Sequence, residues 1–575
     1  MKKTLFTLVG IAALVAAIAV VVLRPGREAG RRTGPATWYG AWLPPDTLAT
    51  VSLTDLNSLA GSFPRTPLGR FLARDSMDRI LAGLRVDPKK IRKYNEFHDA
   101  VARVMTNPAF QAIFGDDAAL ALLPPDGQEV RRDPDMALRR SLVAFATSSS
   151  SRTMERLARL IMGGRVSRES VGTVEMTRIS LDDRTTVHAY IRGRALLLAL
   201  DPRPIVTCLR TRDGRGKTLR RNVSFVAALS LWKEARGHPL LDAFVSVPGL
   251  RRLLRESGGA RGAEAARSLQ GMEYFASSVR RGAGELRVVT RTGVHGKELP
   301  GPVRAGFASV TANTTQGLVT PQILSYYWCS SFDSFLLGRI LSGENARGRQ
   351  EADARLRREL GIPLARLRAA FGPQCGVILD RVVGSGLFPV PQGVLFVQVR
   401  DRAAAAAVVA ALRRDLARRG MAGEDSETVQ GYTISSWPLL PGEATRLALV
   451  LTDDMLYLAN GRPPLRRLLA RQPGPGLSPP MARLMGSEMS GRFGDANYGA
   501  MVLRPARLAA QGRPVADWLA RAAAASDHPV SLQPLNRQLL ALLGSLDIVV
   551  GASRVEGNSA SSEILFRNMP QENGR

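Results

Sequence analysis

Residues 185–205 read TTVHAYIRGRALLLALDPRPI, and residues 445–465 read TRLALVLTDDMLYLANGRPPL. Both predict an apolar strand, a short polar turn, a second apolar strand and a helix that opens on proline. Alternation assigns Val187, Ala189 and Ile191 to the inward face in one copy and Leu447, Leu449 and Leu451 in the other, as the period of two in a strand requires.

The figure is not isolated. AIFGDDAALALL (112–123) matches AAFGPQCGVILD (369–380), each placing Phe-Gly before an apolar strand. SLVAFATSSSSRTMERLARLI from residue 141 matches GVLFVQVRDRAAAAAVVAALRRDL from 393, a strand followed by a helix for which Ser151 and Asp401 are the candidate caps. DAFVSVPGLRRLL (242–254) parallels YGAMVLRPARLAA (498–510), and each half ends in a hairpin pattern. Order is kept throughout, which predicts a tandem duplication with a period of about 260 residues.

The expected fold class is therefore α+β: an N-terminal transmembrane anchor followed by two tandem related α+β domains with antiparallel sheets, each containing a ferredoxin-like βαββαβ order covered by helices on one face. The boundaries are a basic segment 1–4, an anchor 5–23, an Arg/Gly/Pro linker 24–40, a first repeat 41–300, a second repeat 301–568 and a polar tail 569–575. A chain of 575 residues exceeds what one core supports, and a hydrophobic content of 45% excludes a disordered chain.

Lys2 and Lys3 precede an uncharged apolar run from Leu5 to Leu23, long enough at about 1.5 Å per residue to cross the hydrocarbon layer. Ala17 and Ala19 offer a cleavage pattern, but VVVL continues the apolar core, so an uncleaved signal anchor is expected. Arg24, Arg27, Arg31 and Arg32 pull the carboxyl side towards the cytoplasm, whereas the MKK opening is that of bacterial export. The expectation is a single-pass protein of the inner, cytoplasmic membrane with its body on the periplasmic or extracytoplasmic side.

Lysine and arginine total 79 against 50 acidic residues, a formal charge of +29. Only eight of the cations are lysine, and the arginine excess is spread along the chain. Such a body is drawn to anionic lipid, an envelope polymer or nucleic acid. The densest stretch is DPKKIRKYNEFHD (87–99), where Lys89, Lys90, Arg92 and Lys93 stand next to Tyr94 and Phe97. These four, with Arg24, Arg27, Arg31 and Arg32, are the candidate anionic-surface contacts. Export and the lack of any recognised binding module make nucleic acid the least favoured partner.

Catalytic and metal chemistry find no anchor in the sequence. Gly216-Lys217-Thr218 ends a phosphate-loop pattern, yet Thr211 stands where its first glycine belongs. His98, His188, His238, His295 and His528 never fall at metal-ligand spacing, and there is no GxSxG elbow. Cys208, Cys329 and Cys375 make no CxxC, and Cys375 reads as a small buried hydrophobe. Positions shared by the two copies, such as Phe114 and Phe371 or Pro204 and Pro464, are packing and turning residues. No catalytic residue, cofactor or metal is expected.

LPPDTLATVSLTDLNSLAGSFPRTPLGRFL (43–72), VQVRDRAAAAAVVAALRR (397–414) and LVLTDDMLYLANGRPPLRRLL (449–469), with the apolar run upstream, resemble uncharacterised bacterial signal-anchored proteins of a domain-of-unknown-function family with tandem α+β repeats. The resemblance covers most of residues 41–568 and implies no catalytic residues. The expected function is binding or scaffolding at the envelope without catalysis. The alternatives are a carrier of a lipid or other amphiphile in a groove between the repeats, or a cytoplasm-facing protein whose basic body binds anionic lipid or nucleic acid.

Overall fold

The structure is a computed structural model that describes residues 37–569 apart from 109–110, 112–113, 115–116, 148–164, 181–185, 216, 283, 309, 333–345, 385–387, 422, 441, 472–473, 475 and 528. The chain divides into two compact units, residues 1–300 with 557–561 and residues 301–556 with 562–575.

Unit one contains strands β1 (Ala49–Thr54), β2 (Asp117–Leu122), β3 (Leu142–Thr147), β4 (Arg165–Val171), β5 (Val174–Ser180), β6 (Thr186–Arg192), β7 (Ala195–Ala199), β8 (His238–Ser246), β9 (Met272–Gly282) and β10 (Glu285–Val294). The helices used below are α1 (Arg74–Gly83), α2 (Pro88–Thr106), α3 (Pro202–Arg210) and α4 (Val223–Glu234). The ladders run β4-β5-β6-β7-β3-β2-β1-β8-β9-β10, every pair antiparallel.

Unit two contains β11 (Ser325–Cys329), β12 (Phe371–Gly384), β13 (Pro389–Val399), β14 (Asp425–Val429), β15 (Tyr432–Pro438), β16 (Arg446–Leu451), β17 (Met455–Asn460), β18 (Gly499–Leu503), β19 (Leu546–Glu556) and β20 (Ser559–Asn568). Its principal helices are α5 (Arg402–Arg418), α6 (Arg462–Arg471), α7 (Pro505–Ala524) and α8 (Gln533–Gly544). Its ladders run β14-β15-β16-β17-β13-β12-β11-β18-β19-β20, again all antiparallel. Each strand of unit two occupies the place of the strand ten earlier in unit one.

The opening stretch forms the hairpins β6–β7 and β16–β17. Arg192 pairs with Ala195, so the first turn has two residues, and Gly193 supplies the positive φ of 61° that such a turn needs. The second turn is longer and is closed by Thr452, whose hydroxyl accepts from Met455 N–H at 3.1 Å. α3 opens on Pro202 behind Asp201, whose carboxylate accepts from Arg203 N–H. Asp401 caps α5 by accepting from Ala404 N–H at 3.0 Å, as its sequence position predicts. Ser151 and the helix expected from residue 153 lie outside the described residues.

Three expectations are corrected. The order is not ferredoxin-like. β3 and β4 are parallel members joined by a crossover, but three antiparallel strands, β5, β6 and β7, stand between them where a split βαβ unit has one.

Helices do not cover one face alone. In unit two Ala448, Val450, Tyr457 and Phe396 pack into a core with α6, whereas Leu449, Leu456, Trp437 and Val397 pack on the opposite face with Ala405, Val408 and Val409 of α5. In unit one the main core holds Phe145, Leu197, Trp232 and Phe244, and Ile179, Ala189 and Leu196 form a small cluster on the other face. Ile191, assigned inward by alternation, is exposed because it sits beside the tip of its hairpin.

The anchored architecture, with the transmembrane and signal-anchor character expected from it, is also corrected. No helix among the described residues is long and apolar enough to cross a membrane. α7 has 20 residues but carries Arg507, Arg513, Asp517 and Arg521. Residues 5–23, where the sequence places the anchor, lie outside the described residues.

Phe396 is fully buried at the centre of unit two and stacks on Tyr326 with ring centroids 6.0 Å apart. Opposite it on β12 is Gly376, where a Cβ would meet a Phe396 ring carbon at 2.4 Å, so the ring occupies the space that glycine leaves open. Phe396→Ala is expected to lower the stability of unit two by about 3–5 kcal/mol in urea denaturation. A loss below about 1 kcal/mol would take this ring out of the core.

Candidate functional site

Of the eight sequence-predicted surface contacts, Arg24, Arg27, Arg31 and Arg32 lie outside the described residues. Lys89, Lys90, Arg92 and Lys93 come together in the first turns of α2. The helix starts there because Asp87 accepts from Lys89 N–H at 2.8 Å and Pro88, which has no N–H to leave unpaired, takes the first helical position. α2 is held against α1 by Asn95 Nδ2 donating to Asp78 at 2.9 Å and by the Arg74–Asp99 pair at 2.9 Å. The Tyr94 hydroxyl donates to the Leu72 carbonyl at 2.6 Å. Tyr94 is thereby committed to the hairpin and not free to stack on a base.

All four cationic side chains are exposed, and none makes a hydrogen bond or ion pair among the described residues. At 100° per residue Lys90, Lys93, Phe97 and Val101 share one face. Phe97 is 58% exposed and Val101 44%. Cations in the first turns of a helix oppose its dipole, and α2 has no acidic residue in its first turn beyond the capping Asp87 to offset them. The cluster therefore works against the helix that carries it. Val101 is absent from the sequence prediction, which stopped at residue 99; its place on the face of Lys90 and Phe97 is legible by helical spacing once α2 is known to run to Thr106.

Unit one also encloses a polar cluster invisible in the sequence, because its members come from separate strands. Register places Ser52 opposite Asp242 and Asp242 opposite Ser278. The Ser278 hydroxyl donates to Asp242 Oδ1 at 2.7 Å, and Arg280 Nη2 lies 3.0 Å from the same oxygen while donating to the Trp232 carbonyl. Asp242 and Arg280 are each 2% exposed. Burial pushes the Asp242 carboxyl up to about 6 against the pull of Arg280, and burial pushes the nearby Tyr39 hydroxyl up to about 12.

The remaining candidates stay apart. His188 is buried with Nδ1 3.3 Å from Glu169 Oε2, but the pair lacks hydrogen-bond geometry. His98, His238 and His295 sit beside Asp99, Asp55 and Glu273 respectively, and His528 lies outside the described residues. Lys217 and Thr218 lead into a single 3-10 turn, Leu219–Arg221, and not the helix a phosphate loop requires. Cys375 is buried as expected and faces Cys329 across the β11–β12 ladder, Sγ to Sγ 3.4 Å, while Cys208 is buried elsewhere. Among the described residues no group of His, Cys, Asp and Glu could hold a metal ion.

No protein family and no curated protein matches the chain. Among solved structures, crystal form III of TP0453 is similar over 48% of this chain and 86% of its own, at 8% identity and a TM-score of 0.23. Crystal form I of the same protein is similar over 46% and 82%, at 7% identity and a TM-score of 0.22. Likeness at these scores carries no argument about fold or function.

The Asp242 cluster generates a pH signature. Between the ordinary carboxyl value of 3.8 and the folded value of about 6, the folded chain keeps a proton that the unfolded chain releases, so rising pH favours unfolding across that window and has no further effect above it. The stability advantage of the wild type over Asp242→Asn is expected to narrow as pH rises from about 4 to about 6. Urea midpoints measured across that range check it, and parallel curves would show that Asp242 does not titrate there.

Proposed function

We propose that this protein is a non-enzymatic binding protein that docks on an anionic lipid surface through the exposed face of α2. The observation that carries the reading is the union, on one helix face, of unpaired lysines with two exposed apolar side chains. Lys90 and Lys93, with Lys89 at the edge of the face, reach headgroup phosphates, while Phe97 and Val101 enter the apolar boundary beneath them.

A soluble polyanion would use the cations and leave Phe97 in water, which is why lipid is favoured over an envelope polymer. Nucleic acid is disfavoured for a related reason: Tyr94 is tied to Leu72 and the face offers a single exposed ring. The charge of +29 supports the same reading at long range, since a positive body concentrates near a negative surface. Docking of this kind needs no membrane-spanning segment.

Co-sedimentation of the full chain with phosphatidylglycerol-containing vesicles tests the proposal. Binding is expected to be strong at low ionic strength, weak at high ionic strength and absent on purely phosphatidylcholine vesicles. Each lysine near an anionic surface contributes about 1 kcal/mol, so the triple change Lys89→Ala, Lys90→Ala, Lys93→Ala should weaken binding about 100-fold. Phe97→Ser should weaken it further without altering the salt dependence. Equal binding of wild type and triple variant would remove α2 from the contact. Loss in the triple variant with indifference to Phe97→Ser would point to a polymer.

A further inference from the structure

We infer that Cys329 and Cys375 of unit two form a disulfide site. A disulfide-bearing oxidant, such as oxidised glutathione or the disulfide of an oxidoreductase, converts the two thiols into one covalent bond that staples the unit. The inference concerns different residues from the surface contact of α2 and stands without it.

Register sets the two cysteines directly opposite each other on the antiparallel strands β11 and β12. Cα atoms of directly opposed residues lie about 4.5–5.5 Å apart, inside the range of about 4.4–6.8 Å that a disulfide spans. The sulfurs are already in contact at 3.4 Å, so the strands need not be drawn together for the bond to form.

The duplication shows that packing does not demand cysteine at this rung. Leu48 N–H donates to the Leu122 carbonyl in unit one as Leu324 N–H donates to the Leu379 carbonyl in unit two, which aligns the two ladders. Cys329 opposite Cys375 then falls on Leu53 opposite Ala118. One copy fills the rung with a leucine and an alanine, and the other spends two of the chain's three cysteines on it. The third, Cys208, is buried on α3 of unit one.

Access decides which sulfur reacts first. Cys375 is fully buried and packs in a cluster with Ala370, Phe371 and Val397, whereas Cys329 is only partly buried. On the outer flank of Cys329, β18 places Gly499 opposite it, so that strand contributes no side chain to cover the sulfur. The aligned place in unit one holds Leu241. The Cys329 thiol also holds the Cys375 thiol above its usual range, and burial adds to the effect. Cys329 is therefore the attacking sulfur.

The chemistry is two successive exchanges. Cys329 loses its proton to solvent, and its sulfur attacks one sulfur of the oxidant, expelling one thiolate and leaving a mixed disulfide. Cys375 then loses its proton, and its sulfur attacks that of Cys329 and expels the second thiolate. The two thiolates take up the two protons, and two electrons have passed from the cysteine sulfurs to the oxidant. Once Cys329 is in the mixed disulfide it no longer offers the thiol that raises Cys375, so the second exchange follows the first.

The bond fastens β12 to β11, the strand that joins β12 to β18. It ties together residues 46 positions apart, which removes conformations from the unfolded chain. Oxidation is therefore expected to raise the urea midpoint of unit two by about 1 M.

The test uses the full chain, purified under reducing conditions, incubated with oxidised glutathione, then unfolded and treated with N-ethylmaleimide. Intact mass should show the loss of two hydrogens and a single added maleimide, located on Cys208. The tryptic peptides that carry Cys329 and Cys375 should be joined until dithiothreitol is added. Cys375→Ser should stop at one glutathione on Cys329, and Cys329→Ser should acquire glutathione at least about tenfold more slowly. The wild-type measurements do not depend on either variant folding. The inference is overturned if all three cysteines take maleimide after oxidation, if Cys208 enters the bond, if glutathione remains on Cys329 of the wild type, or if the oxidised chain unfolds at the same urea concentration as the reduced one.

Discussion

The pairing of β3 with β7, and of β13 with β17, is the constraint from which the rest of each unit follows. Val394, Phe396 and Gln398 on β13 face Ala459, Tyr457 and Met455 on β17 in antiparallel register. Once those strands are joined, the chain between them has to leave β13, cross the sheet and return through an even number of strands. It does so by running α5 over one face to the outer strand β14 and coming back through the meander β14 to β17. The crossover brings α5 onto the face that carries Leu449, Leu456 and Trp437, and α6, which follows β17 directly, returns to the face that carries Ala448 and Val450. Two-sided burial is thus a consequence of connectivity, and it explains why β16 reads LALV without a clean polar alternation.

The hairpins were legible because their strands are apolar and their turns are polar, the strongest contrast a sequence offers. The outer strands were not. β4 reads RVSRESV and β14 reads DSETV, sequences that resemble loops by composition. Both are edge strands, and edges are kept charged so that they do not recruit another chain. Glu427 and Asp425 of β14 are covered by Arg466 and Arg462 of α6, and Arg466 holds the Glu427 carboxyl below its usual range. Missing one strand in each copy shortens a four-stranded meander to three and hides the true strand order. The error therefore lies in the physics of edges, where charge suppresses the periodicity on which strand recognition depends.

Site residues divide along a similar line. Lys89 to Lys93 were visible because they are consecutive, and one helix suffices to gather them. Asp242, Ser52 and Ser278 are far apart in sequence and meet only through two ladders, so no local pattern announces them.

Arginine and lysine play different parts in this chain, and the difference decides where function is sought. Most described arginines are spent on structure: Arg280 spans Asp242 and Trp232, Arg504 joins Asp547 to the Pro321 carbonyl, and Arg567 reaches the Leu484 carbonyl. The planar guanidinium, with five donors, suits such bridging. Three of the eight lysines stand together at the start of α2, where the helix dipole opposes them and none of their ammonium groups has an ion-pair partner among the described residues. Residues that weaken the element they belong to, and that have no partner inside the chain, are explained by a partner outside it. Unanswered charge beside unburied apolar surface marks the α2 face, and an anionic lipid surface is the chemistry that satisfies both halves of it.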